Sequence, residues 1–178
     1  MTLLNPPINT SDHMYGHPEA RIELVEFGDY ECPYCGRAYP LVKSIQRKLG
    51  SELKFVFRNF PLAKIHPNAR PAAVATEAAA LQNRFWEMHN IIFENQRRLD
   101  PESLFVYAIR IGLDLDVFKQ DIQRNELMKK VEMDFESGLR SGVNRTPTFF
   151  VNGVKFNGNW DNEELLVYLE EQLRTPVY

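Results

Sequence analysis

The chain is short of cysteine, of long apolar runs and of surplus positive charge, and each shortage closes off a class of protein. Only two cysteines occur in 178 residues, too few for the disulfide framework of a small secreted scaffold. No apolar run approaches the roughly 18 residues that mark a membrane span. Twenty-one Lys and Arg against 24 Asp and Glu leave a formal net charge of −3. That balance argues against nucleic acid or an anionic membrane surface as the main partner. The opening residues, Met1 to Asn9, have neither a basic stretch nor an apolar one of signal-peptide length, so the expected setting is the cytoplasm, or the periplasm if an export signal has been removed. Internal repeats and low-complexity segments are also missing. What is present is ordinary: 44% hydrophobic and 12% aromatic residues can fill the core of one domain, or one domain carrying an insertion.

Both cysteines fall in a single motif, Cys32-Pro33-Tyr34-Cys35. It follows an apolar strand, Ile22 to Phe27, that Gly28 and Asp29 break. It precedes a run with apolar residues at Ala38, Leu41, Val42, Ile45 and Leu49, one face of a 3.6-residue period. Pro33 suits the first position of that helix, where a missing N–H costs nothing. A thiol at a helix N-terminus meets unpaired N–H groups and the positive end of the macrodipole. Both favour the thiolate, which is the nucleophile. The motif reads as a redox dithiol in which Cys32 attacks and Cys35, one turn in, resolves the mixed disulfide.

The rest of the chain follows in recognisable pieces. Residues 1–20 are polar, Pro-rich and aperiodic, and read as a lead-in. A strand at about 21–28, a helix at about 33–49 ended by Gly50, and a second strand over Leu53 to Arg58 make a βαβ unit with a right-handed crossover. From about 66 to 141 the pattern is helical. Asn68 is placed to cap the first of these helices, and Phe85, Met88 and Ile92 form the inner stripe of the second. Asp100-Pro101-Glu102 opens a third, a short one carries Leu115, Phe118 and Ile122, and the last repeats Leu127, Val131, Phe135 and Leu139. Thr148 to Val151 returns to strand, Asn152-Gly153 signals a type I′ hairpin into Val154-Lys155-Phe156, and Asp161 with Glu164 suggests a capping box for a helix to about 174. The expected fold is α/β, ordered βαβ, helical block, ββα. Its divisions are 1–20 as lead-in, 21–62 with 142–178 as the sheet domain, and 63–141 as the inserted helices.

At this point the chain resembles the DsbA-like thiol–disulfide oxidoreductases, which have a thioredoxin-like fold with a helical insertion. The residues that carry the likeness are Val25 to Cys35, Phe60-Pro61-Leu62 with His66-Pro67, Phe85 to His89, and Arg145-Thr146-Pro147-Thr148-Phe149. The resemblance implies exchange of protein or small-molecule disulfides, glutathione among them, with no cofactor and no metal. It implies that Thr146-Pro147 is a cis peptide facing the dithiol, and that the Thr146 backbone, Pro147, Pro33 and Tyr34 meet the substrate. It also implies that Glu26 lies beneath the site, where a buried carboxylate has a raised pKa and takes the proton of Cys35. An edge-strand Glu26 facing water is the plainer reading of that residue. Two departures bear on the direction of electron flow. The dipeptide is Pro-Tyr, as in glutaredoxins, rather than one carrying His, and no export signal is visible. The expected potential is therefore nearer that of glutaredoxins than that of the strong periplasmic oxidants.

Other readings stand beside these. His13, His17, Cys32 and Cys35 could form a zinc-binding module with finger-like spacings in reversed order. A glutathione-dependent transferase or isomerase is a further alternative, against which the second cysteine counts. His66 and His89 read first as structural and second as proton carriers. Phe85 and Trp86 read as core, and the acidic run Asp29 to Glu31 reads as a solvated loop.

Overall fold

Three strands sit at the middle of the protein, and their sequences show why. β2 (Ile22–Gly28), β3 (Leu53–Asn59) and β4 (Thr148–Val151) are buried along almost their whole length, so apolar residues occupy both faces rather than alternating. In this computed structural model, which describes residues 1–174, they form a five-stranded sheet in the order β1–β3–β2–β4–β5. β2 and β3 run parallel and β4 is antiparallel to β2. β2 and β3 are joined by α1 (Pro33–Leu49) and a short 3₁₀ turn. The hairpin from β4 to β5 (Val154–Lys155) turns through Asn152 and Gly153, with φ of 48° and 76°, the left-handed pair a type I′ turn requires.

The two-residue strand period divides the core. Leu24, Phe55, Phe57, Phe149 and Val151 face the larger apolar cluster, with Ala38, Val42 and Ile45 of α1. Val25, Phe27, Val56 and Phe150 face a smaller one with Leu4, Phe60, Val143 and Phe135. Five helices fall between β3 and β4: α2 (Ala69–Ala80), α3 (Phe85–Glu94), α4 (Pro101–Arg110), α5 (Leu115–Asp121) and α6 (Asn125–Arg140). α7 (Glu164–Arg174) closes the described chain. The sheet, the helix carrying the dithiol and the intervening helices match the expected thioredoxin-like fold.

Four local expectations need correction. The lead-in is structured: β1 (His13–Gly16) pairs antiparallel with β3, and Leu4 is buried. β1 has little hydrophobic signal because it is an edge strand, held partly by the His13 contact of 2.7 Å with Glu77. Asn68 occupies the N-cap position of α2, but its side chain does not cap; its Nδ2 and backbone N–H donate to Glu31. The last helix begins at Glu164, where Asn162 Oδ1 accepts from the Glu164 N–H, while Asp161 instead pairs with Arg37 at 2.8 Å. Finally, Leu139 is 55% exposed. A four-residue step overshoots a 3.6-residue turn by about 40°, and three steps from Leu127 rotate position 139 out of the core. Asp134, Ser137 and Gly138 take the buried positions there.

Candidate active site

Cys32 is the N-cap of α1, with Pro33 at the first helical position. The loop before it is fixed by Asp29. That side chain is buried, and its Oδ1 accepts from the N–H groups of Glu31 and Cys32 at 2.8 and 3.2 Å. Its Oδ2 accepts from the N–H of Leu62 and from His66 Nδ1, both at 2.8 Å. The acidic run is therefore an anchor rather than a solvated loop: Tyr30 is buried with Asp29, and Glu31 binds Asn68. From the turn between α3 and α4, Gln96 Nε2 donates to the Cys32 carbonyl at 2.7 Å.

β4 brings the second half of the site. Phe27 faces Thr148 across the β2–β4 pair, which places the segment just before β4 beside the strand end that leads to the motif. Thr146-Pro147 is a cis peptide, and Cys32 Sγ lies 3.6 Å from the Thr146 carbonyl oxygen. Cys32, Pro33, Tyr34, Thr146 and Pro147 line one groove of about 1100 Å³, together with Arg37, His66 and Trp160. Tyr34 and Ile65, at 56% and 69% exposure, are large apolar side chains on its lining, and the Arg37 guanidinium lies 4.9 Å from the Tyr34 ring centre.

The two thiols are pushed in opposite directions. A hydrogen bond from the Cys35 thiol, supported by Thr146 and the backbone of Cys35 and Tyr34, lowers Cys32 to about 5 against the opposing effect of burial. Cys35 is raised well above its ordinary value, first by burial, then by its bond to Cys32 and by the charge of Glu26. The Asp29 N–H reaches its sulfur at 3.4 Å. At neutral pH the pair is one thiolate and one thiol.

Glu26 is on a central strand, paired with Phe57 and Phe149 on its two sides, so the water-facing edge reading is wrong. It is 3% exposed and its Oε1 has no hydrogen-bond partner among the described residues. Burial, with a smaller contribution from Cys32, raises its carboxyl to about 8. Glu23, on the opposite face, pairs with Lys54 at 2.5 Å.

The histidines separate. His89 is buried, contacts the Tyr30 hydroxyl at 3.0 Å and is held down to about 3, chiefly by burial. His66 lines the groove. His13 binds Glu77 and stacks on Phe85 at 3.8 Å, so the geometry gives the zinc module no support. Among the described residues no group of three or more His, Cys, Asp or Glu is placed to hold a metal ion. Phe85 is buried and Trp86 packs against the core, as expected.

Sequence reasoning missed Asp29, Gln96 and the role of Glu31. An Asp just before a helix start is a capping signal, and could have pointed to Asp29; nothing local marks Gln96.

Comparison with known proteins agrees with this frame. The family model described as Thioredoxin matches residues 9–171. The structure of BdbD from Bacillus subtilis, in its oxidised form, superposes with a TM-score of 0.86 at 24% identity, over 98% of this chain and 99% of that one. The thiol–disulfide exchange protein α-DsbA2 from Wolbachia pipientis gives 0.80 at 19% identity, over 92% and 88% of the two chains. These likenesses establish the thioredoxin-like fold. A curated relative from Mycobacterium sp. (strain KMS), named Na(+)/H(+) antiporter NhaA 1, is 40% identical over 172 residues, 96% of this chain but 28% of the relative. The chain thus spans about a quarter of the length of that relative.

Proposed function

Because the chain belongs to the thioredoxin family, we propose that its Cys32-Cys35 pair is the working centre of a DsbA-like thiol–disulfide oxidoreductase. The observation that carries the reading is the opposed thiol chemistry of two residues three apart: Cys32, on the groove, lowered to about 5, and the buried Cys35, raised. Cys32 forms the mixed disulfide with the substrate sulfur, and Cys35 displaces it. Glu26, protonated at neutral pH, exchanges its proton with Cys35 as that sulfur becomes attacker or leaving group. The Thr146 backbone and the apolar side chains Tyr34 and Ile65 receive an extended partner, a protein or small disulfide. Residues 63–141 are the insertion that supplies His66, Asn68 and Gln96 to this site, and 21–62 with 142–174 and the edge strand β1 are the domain that receives it; positions 175–178 of the expected division lie outside the described residues.

The antiporter name is not carried to this chain. The match covers a minor part of that relative, and among the described residues no helix is long and apolar enough to cross a membrane. The cytoplasmic setting expected from the first residues has no support in the geometry, which would serve equally in an exported protein. The transferase reading likewise has no observation in its favour, whereas the Cys35 thiol bonded to Cys32 favours dithiol exchange.

Replacement series at the two cysteines test the assignment. With Cys35→Ser, mixed disulfides with a reactive peptide disulfide should accumulate; with Cys32→Ser, exchange and trapping should both vanish. Trapping by Cys32→Ser but not by Cys35→Ser would reverse the roles. Equilibration with glutathione should give a potential in the glutaredoxin range, about −200 to −230 mV, and a value near −120 mV would overturn that expectation.

A further inference from the structure

The exchange of thiols leaves one pair unused, a buried carboxylate and a half-buried imidazole. Asp29 Oδ2 accepts from His66 Nδ1 at 2.8 Å, on a carboxylate held by three backbone N–H groups as well. In the neutral ring an acceptor-only partner fixes the tautomer: Nδ1 carries the proton and Nε2 the lone pair. Nε2 has no hydrogen-bond partner among the described residues, while the ring lines the groove that holds Cys32. Of the other charged side chains on that groove, Arg37, Arg145 and Lys155 offer no lone pair, and Asp161 is tied to Arg37. We propose that His66, oriented by Asp29, is a catalytic base for the substrate thiol, separate from Glu26, which serves the buried Cys35. This rests on the oxidoreductase reading and extends it to the substrate's side of the exchange.

The steps balance. In the oxidising direction a substrate thiol passes its proton to His66 Nε2 while its sulfur bonds to Cys32 Sγ. The Cys32–Cys35 bond breaks, and its electron pair leaves on Cys35, which takes the Glu26 proton. The second substrate thiol, deprotonated in turn, attacks the substrate sulfur of the mixed disulfide and releases Cys32 as thiolate. Two electrons pass from substrate to the dithiol. Of the two substrate protons, one replaces the proton given up by Glu26 and the other goes to water. Because Cys32 ends as a thiolate, that second proton has no place on the dithiol, and an open groove residue must hand it on.

The test is the reduction of the oxidised protein by dithiothreitol, followed in a stopped flow by fluorescence. His66→Ala should slow the reaction about 100-fold, the lower range of general-base contributions, and added imidazole should restore much of the loss. The thiolate absorbance titration of Cys32 should be unchanged, which separates a base from a residue that merely shapes the loop. Should His66→Ala fail to fold, His66→Gln keeps a donor for Asp29 and should show the same loss. A wild-type rate in either variant, or a slow rate that imidazole leaves untouched, would overturn the proposal. A wild-type protein that exchanges nothing with dithiothreitol would instead overturn the oxidoreductase reading beneath it.

Discussion

Glu26 and Asp29 are both carboxylates, both buried, and only three residues apart, yet they stand in opposite surroundings. Asp29 is surrounded by donors: three backbone N–H groups and an imidazole fill its two oxygens. Glu26 is surrounded by hydrocarbon, with Oε1 unpartnered and the Phe57 and Phe149 positions flanking it. A buried carboxylate with every lone pair engaged acts as a fixed charge that organises backbone. One with no donors holds a proton and can lend it. The difference is positional. Glu26 is in the regular part of a central strand, whose N–H groups are committed to the ladder, whereas Asp29 is in the turn, where free N–H groups converge.

The comparison predicts unequal costs. Asp29→Ala should be the most damaging, about 4 kcal/mol, because it strands several buried donors at once. Urea titration would show it, and a loss under 1 kcal/mol would mean that water replaces the carboxylate. Next comes Glu26→Gln, whose effect depends on pH. The folded state holds this carboxyl at about 8 against an ordinary value of 4.5. Below pH 4.5 both states are protonated and nothing is lost. From there to about 8 the unfolded chain alone ionises, so wild-type stability falls relative to Glu26→Gln and then levels off. A relative loss of about 4 kcal/mol is expected across that window, and a flat difference between the two proteins from pH 4 to 8 would contradict the assignment. Glu31→Ala sharpens the comparison from a third acid: half-buried and bonded only to Asn68, it should cost about 1 kcal/mol.

The same contrast explains what the sequence made legible. The dithiol, its strand and helix, and the Thr-Pro turn were readable because each has a strong local signature: cysteine spacing, a period, a proline at a helix start. Glu26 was readable as an acid in an apolar strand, although its place at the sheet centre came from the resemblance. Asp29 was misread because three polar residues in a row, Asp29, Tyr30 and Glu31, look solvated when the donors converging on them lie 33 to 37 residues away in sequence, at Leu62, His66 and Asn68. β1 was missed for a related reason. His13-Met14-Tyr15-Gly16 is held by ladder bonds to β3 and by the reach of His13 to Glu77, and neither leaves a pattern in its own four residues.

Gly36 and Gln96 make a pair of a different kind. A Cβ on Gly36 would lie 2.1 Å from Gln96 Oε1, while Gln96 Nε2 holds the Cys32 carbonyl. A methyl group at position 36 could be admitted only by swinging the amide away, and the attacking cysteine would lose its tether to the inserted helices. The two positions are therefore not free to vary one at a time. Among relatives the glycine and the glutamine should be inherited or lost together, and a lineage that replaced one would have to find another donor for the Cys32 carbonyl.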